Sequence, residues 1–132
     1  MNNISEANKI IHKAFQFHAQ GNIEMAKKYY EYFIRNGFKD HIVFSNYGVI
    51  LRDLGKLKEA EIFTRKAIEL NPNFANAHLN LGGIYKDLGK LKEAEMSYLA
   101  LIEINPNLAE AHANLGNLYK DLGKLKEAEI ST

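Results

Sequence analysis

The chain has 132 residues, with 17 basic and 16 acidic side chains and a formal net charge of +1. This length suits one ordinary domain, and the balanced charge argues against nucleic-acid binding, which needs a basic surface. Cysteine is absent, which excludes disulfides and thiol chemistry, and the 46% apolar content predicts a folded core rather than disorder.

The first twenty residues contain no apolar stretch long enough for a signal sequence or a membrane span. Charged side chains interrupt this segment at Glu6, Lys9 and Lys13. We therefore expect a cytoplasmic protein with no membrane partner.

A nine-residue segment recurs along the chain with a period of 34 residues. DLGKLKEAE stands at 53–61, 87–95 and 121–129, and a degenerate version, AQGNIEMAK, stands one period earlier at 19–27. The period predicts a single repeat domain over residues 1–132 with about 3.7 repeats. Its copies are a degenerate first one at 7–40, two full ones at 41–74 and 75–108, and a truncated one at 109–132.

Each copy has the pattern of two helices joined by a tight turn. In copy three, Leu81, Ile84, Tyr85 and Leu88 recur at helical spacing, and a glycine follows at once. Copies two, three and four all have a glycine at this turn position, and these are Gly55, Gly89 and Gly123. A second apolar pattern then runs to an Asn-Pro pair at Pro72 or Pro106, where a helix has to end.

Two columns of small residues predict close approach of the paired helices. On the first helices these are Ala14, Gly48, Gly82 and Gly116. On the second helices they are Ala26, Ala60, Ala94 and Ala128.

The order of these residues resembles the signature of the tetratricopeptide repeat (TPR) family. The matching positions in copy three are Leu81, Gly82, Tyr85, Ala94, Tyr98 and Pro106. The resemblance covers residues 7–132 and implies an all-α, right-handed TPR solenoid of antiparallel helix pairs. The sequence departs from the signature where Phe44, His78 and His112 replace the usual tryptophan.

The resemblance also implies a concave groove lined by the first helix of each copy. Asn46, Asn80 and Asn114 form a ladder there with one step per repeat. An amide both donates and accepts hydrogen bonds, which suits the backbone of an extended peptide. The other expected groove residues are Asn117, Arg52, Lys86 and Lys120.

Two interpretations of the ladder stay open. It resembles the TPR superhelix of O-linked N-acetylglucosamine transferases and similar bacterial arrays, which favours peptide binding, but duplication of a tolerated asparagine would produce the same pattern. A clamp for a C-terminal carboxylate is not expected, because the matching positions lack cations. These positions are Ile11, Phe15, Asn46, Asn76 and Asn80.

The sequence contains no recognisable catalytic constellation, so we expect no enzymatic activity, no cofactor and no metal. The five histidines lack the spacing that brings two rings onto one helix face and are interpreted as structural. The predicted function is a protein-interaction module that binds an extended peptide or protein segment. Two alternatives stay open, namely the substrate-recognition arm of a larger transferase and a structural spacer.

The fourth copy stops before its second helix is complete. We therefore expect a truncated piece of a longer array, with exposed apolar surface at its C-terminal end that allows self-association or fraying. The side chains expected to be exposed are Leu118, Leu122, Leu125 and Ala128.

Copies two to four also have an aspartate in the last turn of the first helix, where an anion is disfavoured. These residues are Asp53, Asp87 and Asp121. We expect a lysine of the adjacent copy to offset this cost, with Lys86 for Asp53 and Lys120 for Asp87.

Overall fold

The computed structural model describes the backbone of residues 2–131 and the side chains of residues 5–125. This part of the chain is all-α and forms seven helices. They are α1 (Asn2–Ala19), α2 (Ile23–Arg35), α3 (His41–Asp53), α4 (Leu57–Leu70), α5 (Ala75–Asp87), α6 (Leu91–Ile104) and α7 (Ala109–Ser131). Within these residues, no helix has the length and apolar character that crossing a membrane requires.

The first six helices form three hairpins, α1 with α2, α3 with α4, and α5 with α6. In the second and third hairpins the turn contains Gly55 at φ +80° and Gly89 at φ +78°. A residue with a Cβ rarely adopts this left-handed conformation, so glycine allows the tight reversal. The predicted helix, turn and helix are thus confirmed in the first three copies.

The chain divides into two compact units, Met1–Pro72 and Asn73–Thr132. In the first unit, the small residues Ala14, Ala26 and Ala60 are completely buried between paired helices. A Cβ added at Gly48 would collide with the Thr64 hydroxyl of α4. The predicted close approach of α3 and α4 is therefore confirmed.

The second unit repeats this packing in its α5 and α6 hairpin. Ala94 is completely buried, and a Cβ added at Gly82 would collide with the ring of Tyr98. Helix α7 packs against α6 and contributes Leu118, which is also completely buried. The predicted exposure of Leu118 is wrong, because α6 covers this side chain's position on α7.

The turn predicted at Gly123 is absent, and α7 runs through this residue as one continuous helix to Ser131. Gly116 accordingly has no atom within 4 Å of an added Cβ, so the close approach predicted there is wrong. In copy two the returning helix buries Ala60, Thr64 and Ala67, and the counterpart of Thr64 in copy four is Thr132. A returning helix after Gly123 would bury fewer side chains, while a continuous helix keeps its backbone hydrogen bonds.

The straight course of α7 exposes side chains that a returning helix would cover. Tyr85 of α5 is 7% exposed, whereas Tyr119, at the same position one repeat later, is 47% exposed. Leu122 is half-buried and Leu125 is 54% exposed, which confirms the expected apolar surface at these two positions. Ala128, the remaining residue of that prediction, lies outside the described side chains.

Candidate functional site

The first helices hold the predicted groove residues, and in the first unit these are Asn46 and Arg52 on α3. Both side chains are half-buried. The Asn46 amide Nδ2 donates a hydrogen bond to the Tyr30 hydroxyl of α2 at 3.1 Å. This bond uses one of the two N–H groups of Asn46, and its Oδ1 can accept a hydrogen bond from another group. Asn46 therefore contributes to the packing of α3 on α2.

Tyr30 connects Asn46 to α1 through a second hydrogen bond. Its side chain is completely buried, and its hydroxyl lies 2.7 Å from Nδ1 of His18. Burial raises the pKa of Tyr30, and the hydrogen bond from Asn46 partly opposes this effect. The sequence did contain a signal for this residue, since Tyr30 lies one period before Thr64 and two periods before Tyr98.

A second buried tyrosine links α3 to α2. The Tyr47 hydroxyl donates a hydrogen bond to Oε2 of Glu31 at 2.8 Å, and Lys27 Nζ lies 3.8 Å from the same oxygen. Burial raises the pKa of Tyr47 far above its usual value, and the hydrogen bond to Glu31 and the nearby Glu31 and Glu59 charges raise it further. The neutral form of Tyr47 is therefore strongly favoured in the folded chain.

This environment predicts that the first unit loses stability in alkali. Below about pH 10, Tyr47 is neutral in both the folded and the unfolded chain, whereas above it only the unfolded chain ionises readily. We expect the urea midpoint of the parent to fall as pH rises above this value. In Tyr47→Phe the fall should be shallower, and Tyr32→Phe, which removes an exposed hydroxyl, should behave as the parent does. If the urea midpoint fell equally steeply with pH in all three proteins, this prediction would be contradicted.

In the second unit the predicted groove residues lie on α5 and α7. Asn80 and Asn114 are half-buried, while Asn117, Lys86 and Lys120 are exposed. The two ladder amides are thus neither enclosed in the core nor fully in solvent. Partial burial limits the side-chain entropy lost when an amide binds a ligand.

The charged residues of this unit pair differently from the prediction. Lys86 Nζ lies 3.6 Å from Oδ2 of Asp121, in the following repeat, whereas the prediction paired this lysine with an aspartate of the preceding repeat. We expected such pairs because an anion is unfavourable in the last turn of a helix. Asp121 is not in a last turn, since α7 continues past it. Both side chains are more than 40% exposed, so the pair contributes little stability but offsets the charge of Lys86.

The structure gives two histidines ordinary hydrogen-bond partners. His18 contacts the Tyr30 hydroxyl, and His112 Nε2 lies 2.8 Å from the carbonyl oxygen of Pro106. Among the described residues, no group of three or more histidine, aspartate or glutamate side chains is arranged to hold a metal ion.

Models of repeat families match most of the chain. Models described as tetratricopeptide repeat match residues 42–74 and 63–96, and one described as TPR repeat matches residues 82–123. Together they extend from residue 42 to residue 123, more than half of the sequence. No curated protein matches the chain.

Solved structures of similar fold include three described as peptide-binding. The first TPR of Spaghetti (RPAP3), bound to the HSP90 peptide SRMEEVD, is 24% identical with a TM-score of 0.82, covering 90% of this chain and 94% of its own. The second TPR domain of human RPAP3, in complex with an HSP70 peptide, is 23% identical with a TM-score of 0.76. Its match covers 87% of this chain and 96% of the RPAP3 domain. YrrB, described as a TPR protein with an unusual peptide-binding site, is 26% identical with a TM-score of 0.81. Its match covers 89% of this chain and 60% of YrrB.

Proposed function

Because the chain belongs to the tetratricopeptide repeat family and folds as an all-α TPR solenoid, we propose that it is a protein-interaction module without catalytic activity. In this proposal the exposed face of its first helices binds an extended peptide or protein segment. The observation that carries this proposal is that Asn80 and Asn114 occupy the same position of consecutive repeats, on α5 and α7, and are both half-buried. The peptide complexes of the two RPAP3 domains support this function.

The local charges favour recognition of the peptide backbone over recognition of a charged side chain or terminus. Asp121 offsets the charge of Lys86 on α5, so the surface beside the ladder has little net field. The positions where a carboxylate clamp needs cations hold Ile11, Asn76 and Asn80. A ligand selected by backbone hydrogen bonds and shape fits these residues better than a C-terminal carboxylate does.

Replacing Asn80 and Asn114 together by alanine is the test of this proposal. Each amide bond to a peptide group contributes about 0.5 to 1.5 kcal/mol net, so the double variant should bind about 5- to 150-fold more weakly. The probe is a peptide enriched from a random-peptide library on the parent chain, and its affinity is measured by fluorescence anisotropy. The circular dichroism spectrum and urea midpoint of the variant report whether its fold is intact.

The matched control replaces Asn73 and Asn107 by alanine. These two asparagines are also one repeat apart, but they are exposed in the loops before α5 and α7. The control should bind the peptide as the parent does. Unchanged affinity in a folded Asn80→Ala, Asn114→Ala variant would assign the ladder to structure alone and remove the basis for groove binding.

A further inference from the structure

A separate surface lies on α2, on the side away from its buried residues Ala26, Tyr30 and Phe33. We call it the α2 face. It consists of Met25, Lys28, Tyr29, Tyr32 and Arg35, which recur at helical spacing. Together with Glu31, these residues line a shallow cavity of about 510 Å³. The face therefore combines apolar area with positive charge on one helix.

The aromatic part of the α2 face is positioned but still accessible. Tyr29 is half-buried and stacks on Phe17 of α1, with ring centroids 5.6 Å apart. Tyr32 is 48% exposed. A tyrosine has few rotatable bonds and an apolar body with a polar tip, so it provides contact area at a small entropic cost.

The two cations of the α2 face lack an ion-pair partner among the residues that the structure describes. In the part of the chain that the structure describes, neither Lys28 nor Arg35 forms an ion pair. The one carboxylate lining the cavity, Glu31, is held by the Tyr47 hydroxyl and Lys27. Lys28 and Arg35 are seven residues apart, which places them about 10 Å apart along the helix axis.

A second cavity, of about 290 Å³, adjoins the α2 face. Glu31 and Arg35 line both cavities, and Ile34, Tyr47 and Phe63 supply the apolar wall of the second one. This cavity could accept one large apolar side chain, in the manner of an interface anchor.

The α2 face is not a by-product of the repeat, because the later copies differ at its positions. One period later the five residues are Glu59, Ile62, Phe63, Lys66 and Glu69, and two periods later they are Glu93, Met96, Ser97, Ala100 and Glu103. Both later copies have glutamate at each end of the stripe, where the first copy has Met25 and Arg35. Among the first three copies, only the first has both positive charges and tyrosines at these positions.

We propose that the α2 face docks an acidic amphipathic helix of a partner protein. Two carboxylates of the partner, spaced by two helical turns, match the distance between Lys28 and Arg35, and apolar residues between them cover Tyr29 and Tyr32. A large apolar side chain of the partner occupies the adjoining cavity. Nucleic acid fits less well, since two unpaired cations on one helix offer few phosphate contacts.

The test uses two synthetic helical peptides of identical apolar sequence. One has glutamates spaced by two turns with leucine and phenylalanine between them, and the other has lysines in place of the glutamates. Binding is measured by fluorescence anisotropy, and the contact residues are located by amide chemical shifts. We expect the parent to bind the glutamate peptide at least ten-fold more tightly than the lysine peptide, with shifts concentrated in α2.

The variant Lys28→Glu, Arg35→Glu should lose at least ten-fold in affinity for the glutamate peptide. The control Lys58→Glu, Lys92→Glu makes the same change in net charge in the first turns of α4 and α6, where acids are favourable, and it should bind as the parent does. The groove variant Asn80→Ala, Asn114→Ala should also retain this binding, which separates the α2 face from the proposed function.

Three results would overturn the proposal. The first is equal binding of the two peptides, and the second is equal weakening by the control variant. The third is that the glutamate peptide does not bind the parent chain, while the parent binds a duplex oligonucleotide or self-associates in sedimentation. In this third case the variant Lys28→Glu, Arg35→Glu would abolish the oligonucleotide binding or the self-association. That result would assign the α2 face to a nucleic acid or to a second copy of the chain.

Discussion

Replacing Gly82 by alanine is expected to destabilise the second unit by about 1 to 3 kcal/mol, because the added Cβ would overlap the buried ring of Tyr98. The same substitution at Gly116, one repeat later, is expected to stabilise the unit by up to about 1 kcal/mol. There the Cβ meets no atom within 4 Å, and alanine is the better helix former. One chemical change thus has opposite effects at equivalent repeat positions.

Urea unfolding of the two single variants and the parent measures both effects, with α-helical ellipticity as the signal. Each variant is the control for the other, since both glycines lie in the interior of a first helix in the same unit. Destabilisation of similar size in both variants would show that a returning helix packs on Gly116 in solution, contrary to the straight α7.

Completing the fourth repeat is expected to convert α7 into a helix hairpin. The chain is extended after Thr132 with the residues that follow Thr64 in copy two, numbered 65–74 in the sequence. The longer second segment can then bury as many side chains as α4 does, so we expect Gly123 to adopt the turn conformation of Gly89. The exposure of Tyr119 should fall from 47% towards the 7% of Tyr85.

Nuclear Overhauser contacts between the two arms of the fourth repeat, together with the backbone shifts of Gly123, report this change. The extended chain with Gly123→Ala is the control, because alanine pays about 1 to 2 kcal/mol in the left-handed conformation that the turn needs. A hairpin should therefore be much less populated in the control. A continuous helix through Gly123 in the extended parent would show that burial by the second helix does not decide the turn.

The repeat architecture could be predicted from the sequence because the apolar periodicity, the turn glycines and the small residues all indicated the same helix pairs in copies one to three. Copy four shows the limit of this reasoning. DLGKLKEAE forms a turn at Gly55 and Gly89 but a continuous helix at Gly123. Since the nine residues are identical, packing against other helices decides their conformation. A local pattern contains no information about that packing.

The candidate site was predictable in part. The sequence placed Asn80 and Asn114 on first helices, and the structure describes both as half-buried there. It did not reveal that Asn46 bonds the Tyr30 hydroxyl, because this contact joins residues of different copies and depends on how α2 and α3 pack. The sequence also did not predict that Lys86 pairs with Asp121, because this contact depends on the course of α7.

The most direct test of groove binding compares three forms of one peptide enriched on the parent chain. They are the original, a scrambled sequence of the same composition, and a form with methylated backbone nitrogens. If amides such as Asn80 and Asn114 hold the peptide backbone, the scrambled form should retain most of the affinity and shift the same side-chain amide resonances, whereas the methylated form should lose it. Full binding of the methylated peptide, with no shift at the amides of Asn80 and Asn114, would contradict backbone recognition by the ladder.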